Sequence, residues 1–165
     1  MEMRPQFDIA LTRMDKLLES IALAGIIALW LLTIFTYANL PEQIPTHFNF
    51  RGEVDNYGSR DMIWFAPIIS LILFISLTFL NRNPHQFNYT VKITPINALR
   101  QYTIATRMIR SLKLSLVIIF IVLQWLVIQA AVNNTVSLNK FLLPAVILLV
   151  LVPIGYFIRQ SIRNQ

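Results

Sequence analysis

Four apolar runs divide the chain, each long enough for the roughly 20 residues that a bilayer crossing needs. They cover about Ser20 to Leu40, Met62 to Leu80, Leu114 to Val132 and Phe141 to Ile158, and none contains Lys, Arg, Asp, Glu or His. Backbone groups find no water in lipid, so each run is expected to be a helix. The first is too long and too late for a cleaved leader and lacks an Ala-x-Ala exit, so it is expected to be retained as a span. The pattern predicts an all-α integral membrane protein: a single domain over residues 1–165, with four helices running up and down as a bundle.

Two polar stretches interrupt this pattern. Residues 41–61 form a loop dense in Pro, Gly, Asn and charge. Residues 81–113 form a longer connection. Within it, Tyr89 to Ile93 alternates as a short extended run without a sheet to join, and Thr94-Pro95 reads as an N-cap followed by Pro at the first helical position. A helix from about Pro95 to Lys113 is expected. Tyr102, Ala105, Ile109 and Leu112 fall on one face, and Arg100, Arg107 and Arg110 on the other with Lys113 at the border. Such a helix suits an anionic membrane surface before the chain turns into span three. Anchoring the topology and recruiting a cytoplasmic partner both remain open for it.

Composition supports the membrane assignment. The chain has 165 residues, 56% hydrophobic and 13% charged, against about 25% charged in an ordinary soluble domain. There is no cysteine, hence no disulfide and no thiolate chemistry. The net charge of +6 has a topological reading. Arg4, Arg13, Lys16, Arg82, Lys92, Arg100, Arg107, Arg110, Lys113, Arg159 and Arg163 lie on one side of the spans, and Arg51, Arg60 and Lys140 on the other. The positive-inside rule then puts both termini in the cytoplasm and the 41–61 loop outside, and no nucleic-acid partner is needed to account for the charge. Tyr37, Trp64 and Phe65 fit an aromatic belt at the outer ends, whereas Trp125, inside span three, is expected to pack. The Asn-x-Ser/Thr sequons at Asn88 and Asn133 read as chance occurrences.

Candidate chemistry concentrates in the loop. His47, Glu53 and Asp55 offer one nitrogen and two carboxylates, so a metal site would need Asp61 or a partner chain as well. Ser59, His47 and Asp55 can be drawn as a triad, but triads are defined by geometry. No ionisable group lies within the spans to mark an ion path. Asn39, Gln124 and Gln129 supply polarity there, the two glutamines suiting bonds between helices. No catalytic residue, metal or cofactor is expected. The composition instead describes an ordered cap. Pro41 and Pro45 stiffen the exit from span one, Gly52 and Gly58 permit tight turns, and Asp55 and Asn56 can bond their own backbone. His47 offers hydrogen bonds while Phe48 and Phe50 dip toward the membrane. Pro67, Pro144 and Pro153 are positioned to kink their spans and open a cavity beneath the loop. The cap either binds a ligand or closes the bundle.

The stretch Leu40-Pro-Glu-Gln-Ile-Pro-Thr-His-Phe-Asn-Phe-Arg-Gly-Glu-Val-Asp-Asn-Tyr-Gly-Ser-Arg60, directly after a first span, resembles the N-terminal membrane domain of unknown function of SdpI-type bacterial immunity proteins. Phe87 to Thr94, with Asn97 and Arg100-Gln-Tyr, is similar to short members of that family. The resemblance implies a bacterial cytoplasmic-membrane protein related to those that protect a cell from a secreted toxic peptide or sequester a regulator. It maps the family motif onto Pro41, Pro45, His47, Asn49, Gly52, Asp55, Tyr57, Gly58 and Arg60, as ligand-binding rather than catalytic positions. With four spans ending at Gln165, the chain is expected to lack the additional C-terminal helices of the longer proteins.

Three readings remain. The first is an immunity-like receptor that binds a peptide through its loop; four acids against two bases between Pro41 and Asp61 favour a cationic ligand. The second is an accessory or structural subunit of a larger membrane complex. The third is a metal-dependent membrane protein using His47 and nearby carboxylates. The expected partners are the lipid bilayer and either a secreted peptide or a membrane protein, with a second copy of the chain as a further candidate.

Overall fold

The computed structural model of the protein describes residues 4–49, 51–133 and 141–165. It is mostly helical. Helix α1 spans Arg13–Tyr37, strands β1 and β2 span Gln43–Phe48 and Val54–Ser59, and a 3-10 turn at Arg60–Trp64 leads into α2 at Phe65–Leu80. A second 3-10 turn at Pro84–Gln86 precedes α3 at Ala98–Asn133 and α4 at Leu142–Arg163. Four helical segments, Arg13–Tyr37, Arg60–Leu80, Ala98–Asn133 and Leu142–Arg163, are long and apolar enough to cross a membrane.

Helix α3 is the axis. It packs on α1, α2, α4 and β1. The expected helix at 95–113 and the expected span at 114–132 are one element of 36 residues, about 54 Å long. The sequence explains this continuity, because no Gly or Pro occurs from Ala98 to Asn133. Helix α3 begins at Ala98 rather than at the expected Pro95, and Thr94 caps the turn at 95–97 that leads into it. Ala98 N–H donates to Thr94 O, Asn97 N–H to the Thr94 hydroxyl, and Thr94 N–H to the Asn97 side chain, a reciprocal cap. Residues 89–93 form no strand, since the only sheet among the described residues is the β1–β2 pair.

The expected basic face packs against α1. Arg110 and Lys113 are buried and Arg107 is half-buried, because α1 begins before its apolar run and brings Asp15 and Glu19 against them. Thr12 caps α1 in a capping box with Asp15. Arg107 Nε and Nη2 then donate to the two carboxylate oxygens of Asp15 at 2.9 and 3.2 Å. Arg110 approaches Asp15 at 3.8 Å and Glu19 at 3.4 Å. Lys113 Nζ donates to Glu19 at 2.5 Å and to the Thr78 hydroxyl of α2 at 2.9 Å, and lies 4.5 Å over the Phe74 ring. Arg100 alone of this basic set is exposed.

Above the ion network α1 and α3 run side by side in the same direction. Ala22, Ile26, Leu29 and Thr33 form the buried stripe of α1, at the spacing of one helical face. A Cβ on Gly25 would stand 2.6 Å from Val117 Cγ1, so glycine is what permits this approach. Gln124 Nε2 donates to the Thr33 hydroxyl at 2.8 Å and to Ile63 O at 3.2 Å, tying α3 to α1 and to the 3-10 turn before α2. Among the described residues Gln129 bonds Asn133 of its own helix, and Trp125 is 51% exposed, so neither is seen to pack between helices as expected. Helix α4 antiparallels α3 through Gln101, whose Nε2 donates to Ser161 O at 3.0 Å and whose Oε1 accepts from the Ser161 hydroxyl at 2.6 Å.

At the ionic end the N-terminal segment folds over the 81–97 connection. Arg4 donates to Phe87 O at 2.6 Å and lies over the Tyr89 ring, and the fully buried Tyr102 donates to Pro5 O at 3.0 Å. Burial, with Tyr102 adding to it, pushes the Tyr89 phenol above the usual tyrosine range, so it stays protonated and donates to Pro84 O.

Replacing Asp15 with Ala leaves Arg107 and Arg110 without their shared carboxylate and is expected to cost about 3–5 kcal/mol. Thermal unfolding of the detergent-purified protein measures it. Gly25→Leu is expected to lower the melting temperature as well, through the seam with Val117.

Candidate functional site

The loop after α1 is a β-hairpin. Gln43 pairs with Ser59, Ile44 with Gly58, Pro45 with Tyr57, His47 with Asn56 and Phe48 with Val54, with one irregularity at Thr46 of β1 and a second at Asp55 of β2. Bulges rotate side chains out of strict alternation. Pro45 is therefore buried beside Ile44, while Thr46 and His47 both face solvent.

The turn is built by Asn49. Its side-chain oxygen accepts from Arg51 N–H at 2.8 Å and Glu53 N–H at 3.1 Å, and its carbonyl accepts from Gly52 N–H at 2.8 Å. Gly52 has φ of 80°, the left-handed region that glycine enters without steric cost. The sequence reading gave this local bonding to Asp55 and Asn56. Asn56 does accept from Tyr57 N–H, but Asp55 turns to His47 instead. Gly58 is required by close approach, because a Cβ there would stand 2.8 Å from Thr46 Cγ2.

Strand β1 seats the hairpin on the helix ends. Leu40, Ile44, Ile63, Ile128 and Ala131 form a buried cluster, bordered by Leu32, Tyr37, Trp64 and Val127. The volume that kinked spans were expected to open beneath the loop is thus filled by side chains. Pro67 and Pro144 lie in the first turns of their helices, where no earlier N–H is lost, and Pro153 lies inside α4. Trp64 packs at a tilt against Trp30 and Tyr37 with centroids 5.9 and 5.6 Å apart. Tyr37 donates to Asp61, and the Arg60 guanidinium lies 5.1 Å over the Tyr37 ring. Phe65 is exposed, as an interfacial residue would be, while Phe50 and Lys140 lie outside the described residues.

The motif positions thus divide in two. Pro45, Asn49, Gly52, Gly58 and Arg60 shape or seat the hairpin. His47, Asp55 and Tyr57 are exposed, and Pro41 is exposed at the exit from α1. His47 Nδ1 stands 2.5 Å from Asp55 Oδ1. A carboxylate accepts, so Nδ1 donates, which in neutral imidazole leaves Nε2 as an outward acceptor. The pair is open to solvent, with side chains 65% and 41% exposed.

Ser59 does not complete a triad. It pairs with Gln43 at the far end of the hairpin, and its hydroxyl bonds Asp61. No group of three His, Asp or Glu side chains able to hold a metal occurs among the described residues. The arrangement provides hydrogen-bond donors and acceptors, one oriented imidazole and the exposed Tyr57 ring on a fixed platform.

Gly52→Ala is expected to destabilise the turn by about 1–2 kcal/mol through its left-handed φ. Gly58→Val is expected to part the strands at Thr46. Amide hydrogen exchange over residues 43–59 should rise in both variants while exchange in α3 is unchanged.

Residues 24–71, which include the whole hairpin, match the domain of unknown function DUF1648. An archaeal protein from Archaeoglobus fulgidus, described as uncharacterized, is 35% identical over 99 residues, covering 55% of this chain and 54% of the relative. The chain therefore spans about half the length of that relative. No solved structure matches the chain. The DUF1648 match and the helical hydropathy together make this a membrane protein that carries a DUF1648-like segment around the hairpin.

Proposed function

We propose that the chain is a recognition protein of the bacterial cytoplasmic membrane, with both termini cytoplasmic and the hairpin outside. In this reading the hairpin binds a peptide or a partner protein, as the resemblance to SdpI-type immunity proteins implies. The observation that carries the proposal is the division of labour within the hairpin. Five motif residues are spent on shaping and seating it, and His47, Asp55 and Tyr57 are then displayed to solvent.

Stability does not account for the displayed set. An exposed ion pair contributes about 0–1 kcal/mol, and Tyr57 is 55% exposed. A pre-organised set of donors, acceptors and one aromatic ring lowers the ordering cost of binding. Strand β2 adds a backbone element. It pairs with β1 on one side, and among the described residues no strand covers its other edge. An extended peptide can add there as a third strand. The acids Glu53, Asp55 and Asp61 along this region favour a cationic one.

His47→Ala, Asp55→Ala and Tyr57→Ala are each expected to abolish protection against the cognate toxic peptide, or binding of it, while leaving the unfolding free energy within about 1 kcal/mol of wild type. Equal survival with and without the gene, across a panel of secreted cationic peptides, would remove the immunity reading. A cysteine introduced at position 55 is expected to react with a membrane-impermeant maleimide added to intact cells. Reaction only after the cells are opened would reverse the orientation.

A further inference from the structure

The last two turns of α4 carry a polar stripe that neither the ion network nor the hairpin uses. Tyr156, Arg159, Gln160, Arg163 and Asn164 recur at steps of three and four residues and so share one helix face. They line an open cleft of about 420 Å³. Arg159 and Arg163 are both exposed. Neither forms an ion pair or a hydrogen bond among the described residues, in contrast to Arg107, Arg110 and Lys113, which take up Asp15 and Glu19. The chain has no acidic residue after Asp61, so α4 and its flanks supply no carboxylate side chain.

We propose that this cleft binds the phosphate of an anionic phospholipid headgroup. Two guanidiniums four residues apart match phosphate oxygens through paired N–H donors. The Tyr156 hydroxyl and the Gln160 amide can contribute neutral bonds, while the Asn164 amide donates to Gln160 O at 2.6 Å. Placement favours a lipid over a free anion. The apolar surface of α4 ends here, with Leu148 and Val152 exposed on the same face just before the stripe. Acyl chains can lie along that surface while the headgroup sits in the cleft. Because this is the end that holds Asp15 and Lys113, a lipid here would sit in the leaflet opposite the hairpin.

Native mass spectrometry of the full chain, delipidated in detergent and titrated with phosphatidylglycerol or phosphatidylcholine of matched acyl chains, tests this. Retention of phosphatidylglycerol is expected to exceed that of phosphatidylcholine by about tenfold, and Arg159→Gln with Arg163→Gln should abolish the preference. Arg→Lys at both positions keeps the charge but not the fork, and should retain only part of it. Equal retention of the two lipids would overturn the proposal, as would an unchanged preference in the Gln variant. Displacement of the lipid by inorganic phosphate alone would assign the cleft to a soluble anion and also overturn it. Should the double variant fail to fold, Arg159→Gln alone gives the same reading, since Arg163 remains in the last turn.

Discussion

The pairing of Asp15 and Glu19 with Arg107, Arg110 and Lys113 constrains everything above it. Two carboxylates one helical turn apart face three cations at three-residue steps, so α1 and α3 fit in one register. A slip by one residue would rotate the carboxylates off the cationic face and leave charges buried without partners. That penalty is larger than any gain from the pairs themselves, since burying ions costs about as much as their attraction returns. The network thus acts chiefly by excluding alternatives. Apolar helices in lipid need such a device, because lipid solvates one apolar face as well as another.

Register set at the ionic end carries through to the hairpin end. With Lys113 on Glu19, the same helix places Val117 against Gly25 and Gln124 against Thr33. Gln124 also holds Ile63 O, which fixes the turn entering α2. The hairpin has α1 at its start and this turn at its end, and Ile44 drops between Ile128 and Ala131 of α3. A two-stranded hairpin is marginal alone in water. Here its two ends and one face are fixed by elements that are themselves locked by buried polar contacts. The exposed geometry of His47, Asp55 and Tyr57 is therefore inherited from the helix bundle.

Much of this was legible in the sequence. The four apolar runs, the punctuated loop and the Thr94 cap each rest on local signals that tertiary context did not override. The expected surface helix failed for a different reason. Basic residues opposite an apolar face read as solvent-facing when a helix is considered alone, and the acids that turn Arg110 and Lys113 inward lie more than ninety residues away. The signal was nonetheless present: Asp15 and Glu19, four apart just before an apolar run, match the spacing of Arg107, Arg110 and Lys113. The turn was misassigned more simply. Asn49, Asp55 and Asn56 are all able to bond backbone, and the two register irregularities, at Thr46 and at Asp55 itself, decide that Asp55 faces His47. A one-residue bulge has no dependable signature in a single sequence.

The distribution of polar groups also bears on the proposed recognition role. A conducting path needs ionisable or hydrated groups strung along the depth of the bilayer. Here Asp15, Glu19, Arg107, Arg110 and Lys113 are tied to one another at one end, and Thr33 and Gln124, nearer the middle, hold helices together. The displayed donors and acceptors lie at the other end, on the hairpin. Between them the α1–α3 seam is closed by Ala22, Gly25, Ile26, Leu29 and Val117, packed too tightly to admit a side chain at Gly25. Under the proposed reading, that closed apolar seam holds the polar display above it still for a partner.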